Sequence, residues 1–226
     1  MLLHDRPLFA IIAFEKNDMK KLIAIAAIFA ILSAGAQQQT ITYSMKMENN
    51  PAAAMMGDVT ITLYAKNGKS LTDMRSQMAS SKTLVTDSGS LTLMTAMGQK
   101  FYMKAGGLPH NGAGIKTPDI RYTNETKQIA GYTCTKAYLV VKKDGGADTA
   151  VFWYTDKLPL VAFGKEADLY KGLKGMPLEY TVNTPDVKLT VTAVNVSTAP
   201  IADSVFALST QGYSKLDPAM LKQFQQ

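Results

Sequence analysis

Downstream of residue 37, apolar and polar side chains alternate with period two over most of the chain, the pattern of strands that bury one face. Ile41, Tyr43, Met45 and Met47 fall on one side of a first strand, with Thr40, Thr42, Ser44 and Lys46 on the other. Val59, Ile61 and Leu63 repeat the pattern after Gly57-Asp58. Asn67-Gly68 carries the signature of a two-residue hairpin turn, since both positions must take up positive φ, and the chain from Leu71 reads as the returning strand. Leu84-Val85 and Leu91 to Met94 flank a turn at Asp87-Ser88-Gly89, and Phe101 and Met103 follow Gly98.

Ala105 to Pro118 breaks the rhythm with four glycines and two prolines, and reads as a long loop. Strands resume at Ile120 and Tyr122, at Ile129, over Ala137 to Val141 and, after Asp144-Gly145-Gly146, over Ala150 to Tyr154. The last two runs are apolar on both sides, which places them centrally in the sheet and covered on both faces. Leu178, Tyr180 and Val182, then Leu189 to Val196, supply two more strands. Short helices are expected at Ala167 to Leu173 and from Asp217-Pro218, where Asp217 caps the first turn and Pro218 fits its first position. About ten strands with one or two helices make a mainly β (α+β) domain.

The alternation has no counterpart upstream. Lys20 and Lys21 precede an unbroken apolar run from Leu22 to Leu32, and Ala34-Gly35-Ala36 supplies a small-x-small cleavage pattern. These are the three parts of a secretory signal peptide in their proper order. The apolar run is too short for a membrane-spanning helix, which takes about 20 residues. The expected division is residues 1–18, read as a mis-assigned upstream extension with Met19 as the start or, alternatively, as a long n-region with a second apolar patch at Leu8 to Phe14, residues 19–36 as signal peptide, and residues 37–226 as a single β-rich domain. The expected location is the periplasm or the extracellular space. Cys134, the single cysteine, lies far from the leader, so no lipid anchor or internal disulfide is expected. Within Thr133-Cys134-Thr135 it reads as a small buried apolar residue.

Composition narrows the chemistry. The formal net charge of +6 is spread along the chain with no basic run interleaved with aromatics, which argues against nucleic acid as a partner. Weak attraction to anionic membrane surfaces remains compatible with that charge. His110, in the Gly-rich loop, is the one histidine outside the leader, and no Gly-x-Ser-x-Gly elbow is present, so no enzymatic activity and no catalytic residue are expected. Cys and His clusters are missing, so no metal or other cofactor is expected. The 13 methionines raise the question of Cu(I), but Met45 and Met47 alternate in phase with Ile41 and Tyr43, as one apolar strand face would. Flexible methionines and aromatics on one sheet face suit an adaptable apolar site. Met45, Met47, Met94, Phe101, Met103, Phe152 and Tyr154 are its candidate residues, with the Ala105 to Pro118 loop as a flap. The same residues would equally fill a solid core.

Three stretches carry a resemblance. Ile129-Ala130-Gly131-Tyr132-Thr133-Cys134, then Trp153-Tyr154-Thr155-Asp156-Lys157-Leu158, then Gly175-Met176-Pro177-Leu178-Glu179 follow the order I-x-G-Y-x-C, W-Y-T-x-x-L and G-x-P-L-E. In this the chain resembles an exported bacterial family known as domain of unknown function 4412, best over residues 120–196. The resemblance implies a fold similar to the periplasmic lipoprotein carriers of the LolA and LolB type. That fold is a curved, incompletely closed antiparallel sheet, a half-barrel, with a few helices on its concave side. It implies no catalytic residue. The expected function is a non-enzymatic envelope protein binding a lipid, an acyl chain or a lipoprotein in the hollow of the half-barrel. The alternative is a structural or interaction module with a solid core and no small ligand. Expected partners are a lipid or lipidated protein and, peripherally, a membrane, with the protein itself a monomer.

Overall fold

The computed structural model describes residues 38–48, 57–104, 118–143, 146–161, 170, 172–183 and 188–216. All belong to the unit Gln37–Gln226. The leader, most of the Gly-rich loop with His110, and the C-terminal segment from Asp217 lie outside the described residues.

Twelve strands form one open, curved sheet. They are β1 (Gln38–Glu48), β2 (Val59–Lys66), β3 (Lys69–Arg75), β4 (Ala79–Thr86), β5 (Gly89–Ala96), β6 (Gln99–Lys104), β7 (Asp119–Ile129), β8 (Tyr132–Lys143), β9 (Gly146–Thr155), β10 (Met176–Asn183), β11 (Lys188–Ser197) and β12 (Ser214–Lys215). Their order in space is β12-β6-β5-β4-β3-β2-β1-β11-β10-β9-β8-β7. Two antiparallel meanders, β1 to β6 and β7 to β11, are therefore joined where β1 pairs with β11. β12 adds the single parallel pairing, against β6.

Turn chemistry explains the meanders. Asn67 and Gly68 have φ of 51° and 75°, Met97 and Gly98 50° and 77°, and Ala130 and Gly131 47° and 83°. Paired positive φ is the two-residue turn whose twist matches that of the flanking strands. Only the first of the three carries the residue pair that announces it in sequence. Met97 and Ala130 occupy a conformation that costs an L-residue about 1 kcal/mol, which the hairpins they close must offset.

Two expectations are corrected. The α+β class with helices on the concave side does not hold: the structure is nearly all sheet, with no α-helix among the described residues. The described part of the stretch Ala167 to Leu173 is a single turn, closed by the Leu173 amide donating to the Tyr170 carbonyl at 2.9 Å, with Gly172 at φ 96°. A left-handed glycine stops any helix at that point, and the rest of Ala167 to Leu173 lies outside the described residues. A four-residue 3₁₀ turn forms instead at Asp203–Phe206. The second correction concerns the two runs placed centrally. β9 is an interior strand, but β8 lies next to the edge strand β7. Its apolar outer positions are half-buried rather than sealed.

Most of the core gathers where the two meanders meet. Ile41, Tyr43, Leu63, Ile129, Cys134, Leu158, Met176, Leu178, Val191 and Ala193 form one cluster, with Met45, Tyr132, Trp153 and Tyr180 packed against it. All three stretches that carried the resemblance run into this cluster. Ile129 and Cys134, Leu158, and Met176 with Leu178 are its buried members, which gives these motif positions a packing role. Gly175 is required by close approach: a Cβ there would be driven into the Thr155 carbonyl.

Candidate functional site

Register places all seven sequence-derived candidates on one face of the sheet. One cross-strand row runs from Phe101 and Met94 through Ser81, Met74, Ile61 and Tyr43 to Ala193. A second runs from Met45 through Val191, Tyr180 and Phe152 to Ala137 and Tyr122. Met103, Met47 and Tyr154 each lie two residues from a member of these rows and so project to the same side. The opposite face is polar along its matching row, from Lys100, Thr95, Ser80 and Arg75 to Thr192 and Glu179.

The shared face does not make one site, because its two ends are covered differently. At the β8–β10 end, Phe152 and Tyr154 are buried with Ala137 and Leu139 beneath Leu160, Tyr170 and Leu173 of the β9–β10 connection. Phe152 stacks on Tyr180 at 5.8 Å between ring centres and meets Tyr170 edge-on at 5.9 Å. Phe152 is filled core, and Tyr154 belongs to the same buried cluster. Met45 packs against the central cluster. At the β3–β6 end Met103 is buried while Met94, Phe101 and Met74 are half-buried, and the four join none of the packed clusters among the described residues. Thr83 and Thr92, hydrogen-bonded to each other at 3.1 Å, lie beside them. Met74 escaped the sequence reading, although the Asn67-Gly68 hairpin fixes its place opposite Ile61.

On the other side of this same end, Leu71, Tyr64 and Leu84 are covered by Ile201, Val205, Phe206 and Leu208, from the chain following β11. That strap is tied down by Lys66, whose ammonium donates to the Ile201 carbonyl at 2.7 Å and to Asp203 at 2.9 Å.

Electrostatics sets several groups in one state. Burial, with Tyr180, Tyr170 and Cys134 nearby, pushes the Tyr43 hydroxyl far above its ordinary range, so it stays protonated and donates to the Pro177 carbonyl at 3.0 Å. Burial pushes the Cys134 thiol up to about 11, with Lys127 opposing and Glu179 reinforcing the shift. A thiol in that state is no nucleophile at neutral pH. On the polar face, Lys127 donates to Glu179 at 2.6 Å and sits 4.5 Å over the Trp153 ring, while Lys136 pairs with Glu125 at 3.0 Å. These cations are compensated, and the group reads as a packed surface network.

A separate cleft of about 460 Å³ opens where the three motif stretches approach one another. Gly131, Tyr132, Thr133 and Thr135 come from the β7–β8 hairpin, Tyr154, Asp156 and Lys157 from the end of β9, and Lys174 from just before β10. Tyr154 is the only one of the seven candidates on its wall. Burial, then Tyr122 and Asp156 nearby, raises the Tyr154 hydroxyl and keeps it a neutral donor. No sequence pattern announced the cleft, because its lysines and threonines are unremarkable until the fold brings them together.

No protein-family model matches the chain, and no curated protein matches it. The likeness to the family of unknown function 4412 therefore stays one of short motifs. Among solved structures, a DUF1329 family protein from Desulfovibrio piger overlaps at 10% identity and a TM-score of 0.39, covering 83% of this chain and 96% of the other. The lipoprotein LppX from Mycobacterium tuberculosis overlaps at 9% identity and 0.36, covering 81% and 98%. LprF from Mycobacterium bovis overlaps at 12% identity and 0.34, covering 81% and 95%. Overlaps this loose leave the reading of this chain to its own residues.

Proposed function

We propose that this is an exported, non-enzymatic binding protein that holds the acyl chain of a lipid or lipidated partner against the β3–β6 end of its apolar face. The observation that carries the reading is the row Phe101, Met94 and Met74, with Met103 beside it. Ser81 stands between Met94 and Met74 in that row and Met103 is buried, while Phe101, Met94 and Met74 are half-buried and belong to no packed cluster among the described residues. Methionine has three rotatable side-chain bonds and a polarizable sulfur, so such a strip adapts to a flexible chain that has no fixed shape of its own. Removing that surface from water stabilises the complex by roughly 25 cal/mol per Å². An acyl chain fits the strip better than a compact polar ligand, because its flanking polar groups, Thr83 and Thr92, already satisfy each other.

Native mass spectrometry of protein purified from its own cells tests this. A co-purifying mass of lipid size is expected, together with displacement of a fluorescent fatty acid that weakens in Met94→Gln and Phe101→Gln. Protein free of lipid that also ignores the fluorescent fatty acid would overturn the proposal.

A further inference from the structure

The cleft beside the β7–β8 hairpin offers a ligand a different chemistry from that of the apolar face. It is independent of the apolar strip: its walls come from β8, β9 and the residue before β10, and it shares no residue with the β3–β6 end. Its volume of about 460 Å³ lies in the usual range of small-ligand sites.

Its chemistry is that of a donor-rich, cationic pocket. Tyr132, Thr133, Thr135 and Tyr154 bring hydroxyls, and Lys157 and Lys174 bring ammonium groups. Asp156 is the only carboxylate on the wall; it pairs with its neighbour Lys157 at 3.4 Å, both side chains being largely exposed. Lys174 is different. Its ammonium rests 4.7 Å over the Tyr122 ring, and among the described residues no carboxylate pairs with it. Tyr122 is itself fixed, donating to the Gly172 carbonyl at 2.5 Å and meeting Tyr154 edge-on at 5.6 Å. The aromatic pair thus holds a lysine at the mouth of a hydroxyl-lined cleft, with no carboxylate paired to it among the described residues.

We infer that this cleft binds a phosphate ester, with Lys174 and Lys157 facing the phosphate charge and the threonine and tyrosine hydroxyls donating to its oxygens. A phosphate presents several strong acceptor oxygens and needs cations as well as neutral donors, which is the set the walls hold. Asp156 suits a hydroxyl of the alcohol part, since a carboxylate accepts and does not donate. The ester has two sources, a soluble phosphorylated alcohol or the headgroup of a phospholipid.

Amide NMR of the purified protein titrated with glycerol 3-phosphate, and co-sedimentation with phosphatidylglycerol against phosphatidylcholine vesicles, separate them. Saturable shifts at Thr133, Thr135, Lys157 and Lys174 with glycerol 3-phosphate point to a soluble ester. Sedimentation with phosphatidylglycerol alone, without those shifts, points to a headgroup. In either case the double variant Lys157→Gln, Lys174→Gln should bind about tenfold more weakly. Both side chains are exposed, so an unchanged melting temperature verifies its fold, and Lys100→Gln with Lys215→Gln is the control for bulk charge. Three results overturn the inference. They are no binding in either assay, equal binding by the double variant, and equal saturable shifts from sodium sulfate, which would leave an adventitious ion only. Failure here leaves the acyl-chain reading standing, because the two sites share no residue.

Discussion

The two ends of the sheet are built from the same pattern and finished on opposite sides. At the β8–β10 end the apolar face is covered, by Leu160, Tyr170 and Leu173. At the β3–β6 end the cover of Ile201, Phe206 and Leu208 lies on the other face, over Leu71 and Leu84. A sheet strand has two faces and a connection can cross only one of them. Among the described residues, the face that a connection crosses goes with deeper burial of the side chains on it. Phe152 and Met94, both candidates on the same side of one continuous sheet, differ in burial accordingly.

The largest expected effect tests the covered end. Gly175→Ala forces a Cβ into the Thr155 carbonyl, so the β9–β10 junction must move. A loss of about 3–5 kcal/mol is expected in denaturant unfolding. A variant within 1 kcal/mol of the parent would mean that the junction yields easily, and the contrast between the two ends would weaken.

A smaller effect compares the ends directly. Leu178 is fully buried in the central cluster, and Leu178→Ala should cost about 3–4 kcal/mol through lost burial and a residual cavity. Met94, half-buried and outside the packed clusters among the described residues, should cost only about 1 kcal/mol when changed to Ala. Equal costs for the two would show that the β3–β6 strip is as tightly packed as the core and would remove the surface on which an acyl chain is proposed to lie.

An effect smaller than that at Leu178 concerns the outer side of the β3–β6 end and its pH dependence. Burial raises the Asp73 carboxyl, but hydrogen bonds from Arg75 and the charge of Lys82 outweigh it and hold the group below its ordinary range. A carboxyl lowered on folding contributes stability above its unfolded value, near 4, and loses it as pH falls through the folded value. Asp73→Asn should cost about 1–2 kcal/mol at pH 7, and the two proteins should converge near pH 2. Unfolding curves that stay parallel across that range would show that Asp73 contributes nothing through its charge.

The positions of the strands were legible because period-two patterning and turn residues are local. Ile41, Tyr43 and Met45, or Val59, Ile61 and Leu63, report their shared face without help from the rest of the chain. β4 was the hardest strand to read: Ala79 to Thr86 is half-buried throughout, so it shows almost no alternation. The turns at Met97-Gly98 and Ala130-Gly131 hide behind residues that rarely adopt positive φ. The phosphate-type cleft was out of reach, because its walls lie up to forty-three positions apart, from Gly131 to Lys174.

By itself, then, the sequence determined which side chains share a face, where three of the core motifs fall and how hairpins at Asn67-Gly68 turn. These follow from the two-residue repeat of a strand and the φ demands of a tight turn, which act over a few residues. Only the tertiary structure decided which end of that face is covered, why Gly175 admits no side chain, and that Lys174 stands over Tyr122 beside a row of hydroxyls. Those features depend on the paths of connections between distant strands, and no local pattern encodes a path.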